Sequence, residues 1–325
     1  MSTILVTGAA GFIGAETVRS LASRGHSVVG LDNFNDYYEP ALKRHRAEAL
    51  SGLDAFQLVE GDIRNREALD ALFEANAFDT VVNLAAMAGV RYSIERPLLY
   101  TDVNATGFLN LLEAMRSHGV RNIVQASTSS LYAGLPMPFK EELDVRTPIS
   151  PYAASKLGAE AMGYTYAQLH GFNVTVLRYF TVYGPAGRPD MAPFRFTEWC
   201  LRGEKIQLFG DGTQSRDFTY VGDIAEGTAQ AVETKLKGFH IVNLGGGGDR
   251  TTILDFIQLI GRLSGQEPRI EFKPAVQADM KHTSACIDKA LAQLQWRPQT
   301  SVEDGMANLV NWHLSNRELL IDMPF

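Results

Sequence analysis

The run T-I-L-V-T-G-A-A-G-F-I-G at residues 3–14 limits the possible fold more than any other stretch of this chain. Thr3 to Val6 is apolar and reads as a buried strand. Gly8, Gly11 and Gly14 follow at three-residue spacing, and Phe12 to Ser23 carries a helical pattern. A strand that turns on glycines straight into a helix opens a βαβ unit. In such a unit Gly8 permits the tight turn, Gly11 lets a pyrophosphate approach the backbone, and Gly14 lets helix pack against strand. The helix N-terminus then offers free N–H groups and partial positive charge to an anion. Glycines also reach this spacing by chance, so the elements that follow decide its meaning.

Those elements alternate. Strands are expected at Ser27–Leu31, Phe56–Val59, Thr80–Leu84, Asn122–Gln125 and Val174–Leu177, and helices at Asn65–Glu74, Thr101–His118 and Pro151–Leu169. Short apolar strands separated by amphipathic helices imply a parallel sheet covered on both faces, an α/β fold of the Rossmann-type doubly wound kind. After Tyr179 the loops lengthen. Ile206–Leu208 and Ile270–Phe272 read as short strands, and Thr252–Leu263 and Ser301–Leu314 as helices. A chain of 325 residues is long for one core. The expected division is a dinucleotide-binding domain over residues 1–180, to which residues about 217–245 return, and a smaller C-terminal α/β substrate-binding lobe over 181–325.

Composition closes off several function classes. Net charge is −7 and no long Lys/Arg cluster occurs, which argues against nucleic acid and acidic membrane partners. No apolar stretch approaches the ~18 residues of a membrane span. Met1-Ser2-Thr3 leads directly into the first strand, so a cytoplasmic protein is expected. The two cysteines, Cys200 and Cys286, form neither a disulfide framework nor a metal-ligand spacing, and no metal is expected.

The second strand ends at Asp32, 24 positions after Gly8, where a carboxylate accepts hydrogen bonds from an adenosine ribose and repels a 2′-phosphate. NAD is therefore favoured over NADP; the bland alternative is a turn aspartate. Asp62 and Ile63, after the third strand, could flank an adenine, or Asp62 could cap the helix that follows.

Chemistry points to the opposite end of the unit. Ser150-Pro151 suits a helix start, which sets Tyr152 and Lys156 one turn apart on one face. Lys156 beside a phenol lowers its pKa from ~10 and makes it a base for a substrate hydroxyl. Such a pair is common on helices. Ser127 to Ser130 places four hydroxyls at a strand's carboxyl end, where open α/β sheets bind ligands. Arg188 lies in G-P-A-G-R-P-D-M, where a lone arginine is ordinarily a solvated loop charge.

Taken in order, the glycine turn, the L-D-N end at 31–33, the N-L-A-A end at 83–86, the strand reaching Thr128 and the Y-x-x-x-K of Tyr152 and Lys156 resemble the extended short-chain dehydrogenase/reductase family over essentially the whole chain. The resemblance implies a catalytic set of Thr128, Tyr152 and Lys156. It implies NAD contacts from Gly8, Gly11, Phe12, Ile13 and Gly14, from Asp32, Asn33 and Asn35, and from Asp62 and Ile63. Leu84, Ala85, Ala86, Tyr152, Lys156 and Tyr179 complete the implied cofactor site. A homodimer follows by family analogy only.

Within that family, dehydratases carry Asp-Glu after the catalytic Thr; here Ser129-Ser130 follows Thr128. A-G-V-R-Y-S-I at 88–94 and R-Y-F-T-V-Y-G-P-A-G-R-P-D-M at 178–191 closely resemble the UDP-glucuronate 4-epimerase group, whereas glucose/galactose 4-epimerases have Asn at the place of Thr181. The resemblance implies that Arg188, Thr181, Ser129 and Ser130 hold a sugar carboxylate, and guanidinium with hydroxyl donors suits that task. Arg216 is implied as a nucleotide contact, Arg91 as a diphosphate contact and Asp279 as a uridine-ribose contact. The implied substrate is UDP-glucuronate, interconverted with UDP-galacturonate. Gln277 stands where many relatives have Arg, and Asn83 and Met87 also depart from the usual pattern. Rival readings are a UDP-glucuronate decarboxylase, a neutral UDP-hexose 4-epimerase and, more remotely, a non-catalytic NAD-binding sensor.

Overall fold

A computed structural model describes residues 1–248, 250–274 and 280–324. The first half runs β1 (Thr3–Thr7), α1 (Phe12–Ser23), β2 (Ser27–Asp32), α2 (Pro40–Glu48), β3 (Phe56–Glu60), α3 (Arg66–Ala75) and β4 (Thr80–Asn83). Then come α4 (Val90–Glu95), α5 (Pro97–Thr101), a π-helical turn over Asp102–Gly107, α6 (Phe108–Ser117), β5 (Asn122–Thr128), α7 (Pro151–His170), β6 (Asn173–Tyr179) and β7 (Thr181–Tyr183). The remainder runs α8 (Ala192–Leu201), β8 (Lys205–Phe209), β9 (Ser215–Arg216), β10 (Phe218–Tyr220), α9 (Val221–Thr234), β11 (Phe239–Leu244), β12 (Thr251–Thr252) and α10 (Ile253–Ser264). It closes with β13 (Arg269–Lys273), α11 (Asp288–Leu294), α12 (Val302–Ser315) and α13 (Arg317–Leu320).

Seven strands form one parallel sheet in the order β11-β6-β5-β4-β1-β2-β3. The expected doubly wound α/β fold is therefore present. Alternation along each strand explains why both faces are covered. Ile4, Val6 and Val28 join the core on the α1 and α9 side, whereas Leu5, Val29 and Val81 join Phe108 and Leu111 on the other. β1 lies between β2 and β4, so the connections leave it in opposite directions. The crevice outside that point is where such sheets bind ligands. Residues 221–244 supply α9 and the edge strand β11, in register with β6 from Phe239 opposite Val174 to Leu244 opposite Tyr179. A separate core of Tyr183, Phe196, Ile206, Leu208, Phe218, Phe256 and Met306 sits beside the strand ends. No helix among the described residues is long and apolar enough to cross a membrane.

Two local expectations change. The helix expected at 101–118 begins at Pro97 and passes through the π turn before α6. The helices α2, α8, α9 and α11 were not legible as such. In α2 the buried residues include Lys43 and Arg46, so no apolar stripe marks it.

Candidate active site

Steric facts settle the glycine turn. Gly8 has φ of 69°, and a Cβ there would lie 2.8 Å from the amide nitrogen of Ala85. A Cβ on Gly14 would lie 1.9 Å from the carbonyl oxygen of Gly8, so no side chain fits where α1 meets the turn. The N-terminus of α1 has no side-chain cap and no acidic residue in its first turn. Its leading amides are thus open to an anion, and the cradle fits a dinucleotide pyrophosphate.

Asp32, at the end of β2, accepts from the backbone amides of Ala10 (3.0 Å) and Phe34 (2.9 Å). Burial pushes its carboxyl pKa up, against the pull of those amides and of nearby Lys43. Asn33 donates to Asp62 at 2.8 Å, and Asn35 accepts from Lys43 at 2.9 Å. Asp62 is also gripped by Arg64; burial works against its charge, but these hydrogen bonds win and hold its pKa near 2. The cap of α3 is Asn65, whose side chain accepts from the Ala68 amide, and not Asp62.

The three groups expected from the sequence to carry the chemistry come from β5 and α7. β5 delivers Thr128 at its carboxyl end, where the hydroxyl accepts from the Ser130 amide at 3.1 Å and caps a short 3-10 turn over Ser129–Tyr132. Ser150 caps α7 by accepting from the Ala153 amide at 3.2 Å, which sets Tyr152 and Lys156 one turn apart. The Thr128 hydroxyl lies near enough to the Tyr152 phenol to favour its ionised form. The electrostatics differ from the sequence expectation. Burial raises the pKa of Tyr152, and the groups pulling it down are the Thr128 hydroxyl and the charge of Arg188, not Lys156. Lys156 instead donates to the Ala126 carbonyl at 3.0 Å, and burial pushes its ammonium down to about 8 against the attraction of Glu160.

Arg188 is partly buried on the loop after β7. Its Nε donates to Asp190 at 3.0 Å; its Nη2 donates to Asp190 at 2.6 Å and to the Ala88 carbonyl at 3.0 Å. The Tyr37 hydroxyl donates to Asp190 at 3.1 Å. The Asp190 fork fixes the guanidinium plane, and Nη1 carries no hydrogen bond among the described residues. Burial works against the Arg188 charge, but Asp190 outweighs it and raises the pKa.

A single cleft of about 910 Å³ joins these parts. It is lined by Gly8, Gly11, Phe12, Ile13 and Gly14 of the turn, by Asp32, Asn33, Asn35, Asp62 and Ile63 beyond β2 and β3, and by Leu84, Ala85 and Ala86 after β4. Thr128, Ser129, Ser130, Tyr152, Lys156, Tyr179, Thr181 and Arg188 line its centre, with Arg91 and Arg216 farther along. The Tyr179 hydroxyl is committed elsewhere, 2.9 Å from Thr228 of α9. Arg91 stacks over Phe209 at 5.1 Å, and Arg216 donates to the Ser215 carbonyl at 2.9 Å. Asp279 and Gln277 lie outside the described residues. Sequence reasoning missed Tyr37, Lys43, Asp190 and Arg195, which line the same cleft. Asp190 was within reach, two residues past Arg188; Lys43 had no signal, since a buried lysine in a charged helix looks like a solvated one.

Residues 4–245 match the model of the NAD dependent epimerase/dehydratase family. The chain is 48% identical over 320 residues, 98% of each protein, to a UDP-glucuronate 4-epimerase of Thermodesulfobacterium geofontis. The structure is similar to that of UDP-glucuronic acid 4-epimerase from Bacillus cereus in complex with UDP-glucuronic acid and NAD, with a TM-score of 0.90, 36% identity, and coverage of 96% of this chain and 99% of that one. It is also similar to UDP-glucose 4-epimerase from Thermotoga maritima with UDP-glucose, with a TM-score of 0.88, 31% identity, and coverage of 97% and 99%. With the glycine turn, the Thr128, Tyr152 and Lys156 set and a match over nearly its whole length, this chain belongs to the NAD dependent epimerase/dehydratase family.

Proposed function

We propose that this protein is an NAD-dependent UDP-glucuronate 4-epimerase, an isomerase that interconverts UDP-glucuronate and UDP-galacturonate by transient oxidation at C4. The observation that carries this reading is the opening of Arg188 into the same cleft as Thr128, Tyr152 and the glycine turn. The turn, α1 and Asp32 hold the cofactor, whose nicotinamide, when bound, supplies a reversible hydride acceptor. Thr128 binds the C4 hydroxyl, and Tyr152 takes its proton while the C4 hydrogen leaves as hydride. Lys156 holds the nicotinamide ribose, while Thr128, the charge of Arg188 and the charge of the ring when bound offset the burial that holds the phenol pKa up. Tyr152 returns the proton to the same oxygen after the ketone has turned its other face.

The 4-keto intermediate carries its C6 carboxylate β to the new carbonyl. Such an acid loses CO2 when the C5–C6 bond stands perpendicular to the carbonyl plane. Arg188, with Thr181, Ser129 and Ser130, holds the carboxylate near that plane, so the ketone survives to be reduced. Arg91 and Arg216 serve the diphosphate and nucleotide, and residues 181–325 supply most of that side. A homodimer in the cytoplasm completes the reading.

Incubation of the purified protein with UDP-glucuronate, followed by proton NMR of the sugar, tests this directly. The expected spectrum gains UDP-galacturonate signals with no pentose signals. Accumulation of a UDP-pentose, or faster turnover of UDP-glucose than of UDP-glucuronate, would refute it.

A further inference from the structure

Arg46, on α2, is 2% exposed, and three of the four groups its guanidinium binds lie far from it in sequence. Its Nε donates to the Ala186 carbonyl and its Nη2 to the Gly187 carbonyl, both at 2.9 Å. Its Nη1 donates to the Ala10 carbonyl at 3.3 Å and to the Tyr38 hydroxyl at 2.7 Å. Ala10 belongs to the glycine turn, and its amide donates to Asp32. Ala186 and Gly187 immediately precede Arg188. One planar cation thus ties the cofactor turn to the loop that carries Arg188.

That loop needs an external tie. Ala186 is held at φ of 51°, a left-handed conformation that strains a non-glycine residue. Gly184 has φ of 150°, and a Cβ there would lie 2.6 Å from a methyl of Val221. Arg46 neutralises two carbonyls that the loop turns inward, and its fork matches two adjacent acceptors as a lysine cannot. Inward carbonyls without a donor would carry the full desolvation penalty.

We propose that Arg46 is a positioning residue that couples the cofactor turn to the uronate loop, so that Arg188 is held in register with the sugar only while the turn is in place. This rests on the reading of Arg188 as the carboxylate grip. Its chemical consequence is a change in product. When the loop drifts, the C6 carboxylate leaves the carbonyl plane and the C5–C6 bond breaks. CO2 departs, the electron pair of that bond passes into the C4 enolate, and the enolate takes a proton at C5. The hydride already removed from C4 is then not returned, so a UDP-4-keto-pentose is released and the cofactor remains reduced.

The test compares the holoenzymes of R46M, R46K and R188A with the parent. Bound NAD, thermal midpoint, kcat and KM for UDP-glucuronate, CO2 released per epimerisation and absorbance of reduced nicotinamide are measured together. For R46M with parental NAD content, KM and CO2 release should each rise about tenfold, the order expected when charged hydrogen bonds are lost. R46K should move both in the same direction by less. If R188A leaves KM and CO2 release unchanged, the carboxylate reading itself fails. If R188A moves both while a folded, NAD-loaded R46M or R46K matches the parent, Arg46 has only a structural role and the inference is overturned. Hydrogen exchange on the unaltered protein decides without any variant. Amides at 184–190 should gain protection together with those at 8–11 as NAD is added; protection confined to 8–11 overturns the coupling.

Discussion

Lys156 shows at the scale of one residue how this site trades stability for chemistry. Its ammonium is 3% exposed and, among the described residues, donates one hydrogen bond, to the Ala126 carbonyl. That carbonyl is itself oriented by a buried polar chain. Thr7 donates to Asn83 at 2.5 Å, Asn83 donates to Gln125 at 2.8 Å, and Gln125 donates to the Ala126 carbonyl at 2.9 Å. Asn83 therefore has a structural reason to be an amide here: it accepts from one neighbour and donates to the next. Burial depresses the Lys156 pKa to about 8 from 10.5. The fold thus works against the charged form below about pH 8, where native and unfolded chains both carry the proton. Between about 8 and 10.5 only the unfolded chain holds it, so the handicap fades as pH rises. A K156M protein should be inactive yet more stable near neutral pH, by on the order of 1–3 kcal/mol. That advantage should shrink toward zero by about pH 10. Urea unfolding of both proteins near pH 7 and near pH 10 measures it, and an equal difference at the two pH values would show that the ammonium bears no such strain.

The segment from Pro97 to Ser117 makes the corresponding point for an element. The sequence reads as one helix only over Thr101–His118, and most of that is helical, but the π turn at Asp102–Gly107 inserts a residue. The insertion carries Asn104 inward, where it is 3% exposed. Its side chain accepts from the Met87 amide at 2.8 Å and donates to the Met87 carbonyl and to the Ser155 hydroxyl, both at 2.9 Å. Met87 directly follows Leu84, Ala85 and Ala86, which line the cleft after β4, and Ser155 precedes Lys156. N104A should therefore cost about 3 kcal/mol by stranding both Met87 backbone groups. It should also lower kcat more than it raises KM, because α7 loses its brace to the β4 loop. Thermal unfolding and steady-state kinetics on one preparation check both; unchanged kcat in a destabilised protein would limit the π turn to packing. Hydropathy does not identify such a turn, since one extra residue shifts the apolar stripe by about 100°, a break that a helix end or a loop produces equally well. α2 was hidden for the opposite reason. Two of its three buried residues, Lys43 and Arg46, are charged, and only Leu42 is apolar. The strands and the helices α1 and α3 are legible because their burial is apolar and periodic, and α7 because Ser150-Pro151 marks its start; the elements that wire the site together are buried through hydrogen bonds, which composition does not distinguish from a solvated face.

At the scale of the molecule, the sheet and the smaller core meet along one cleft, and most of the residues that define it could be found from sequence because they sit at strand ends or in glycine-bounded loops. Their mutual wiring could not be, since Arg188 reaches back to the Ala88 carbonyl and Lys156 to the Ala126 carbonyl of β5, each on another element. A ligand that spans the cleft must stabilise both cores at once. At 100 times its Kd, UDP-glucuronate should add about 2.7 kcal/mol to the stability of the NAD-loaded protein, or about 4 °C in thermal midpoint for a chain of this size. Arg188 contributes to that linkage only if the ligand carries a carboxylate. R188A should then need about 10 to 100 times more UDP-glucuronate for the same shift, the loss expected for a hydrogen-bonded charge pair. With UDP-glucose, R188A and the parent should give equal shifts, because the C6 hydroxymethyl offers no anion to the freed Nη1. Differential scanning fluorimetry with both nucleotide sugars separates the cases. An R188A protein that loses as much response to UDP-glucose as to UDP-glucuronate has lost its loop and not its carboxylate grip, and the substrate class would have to be sought elsewhere in the cleft.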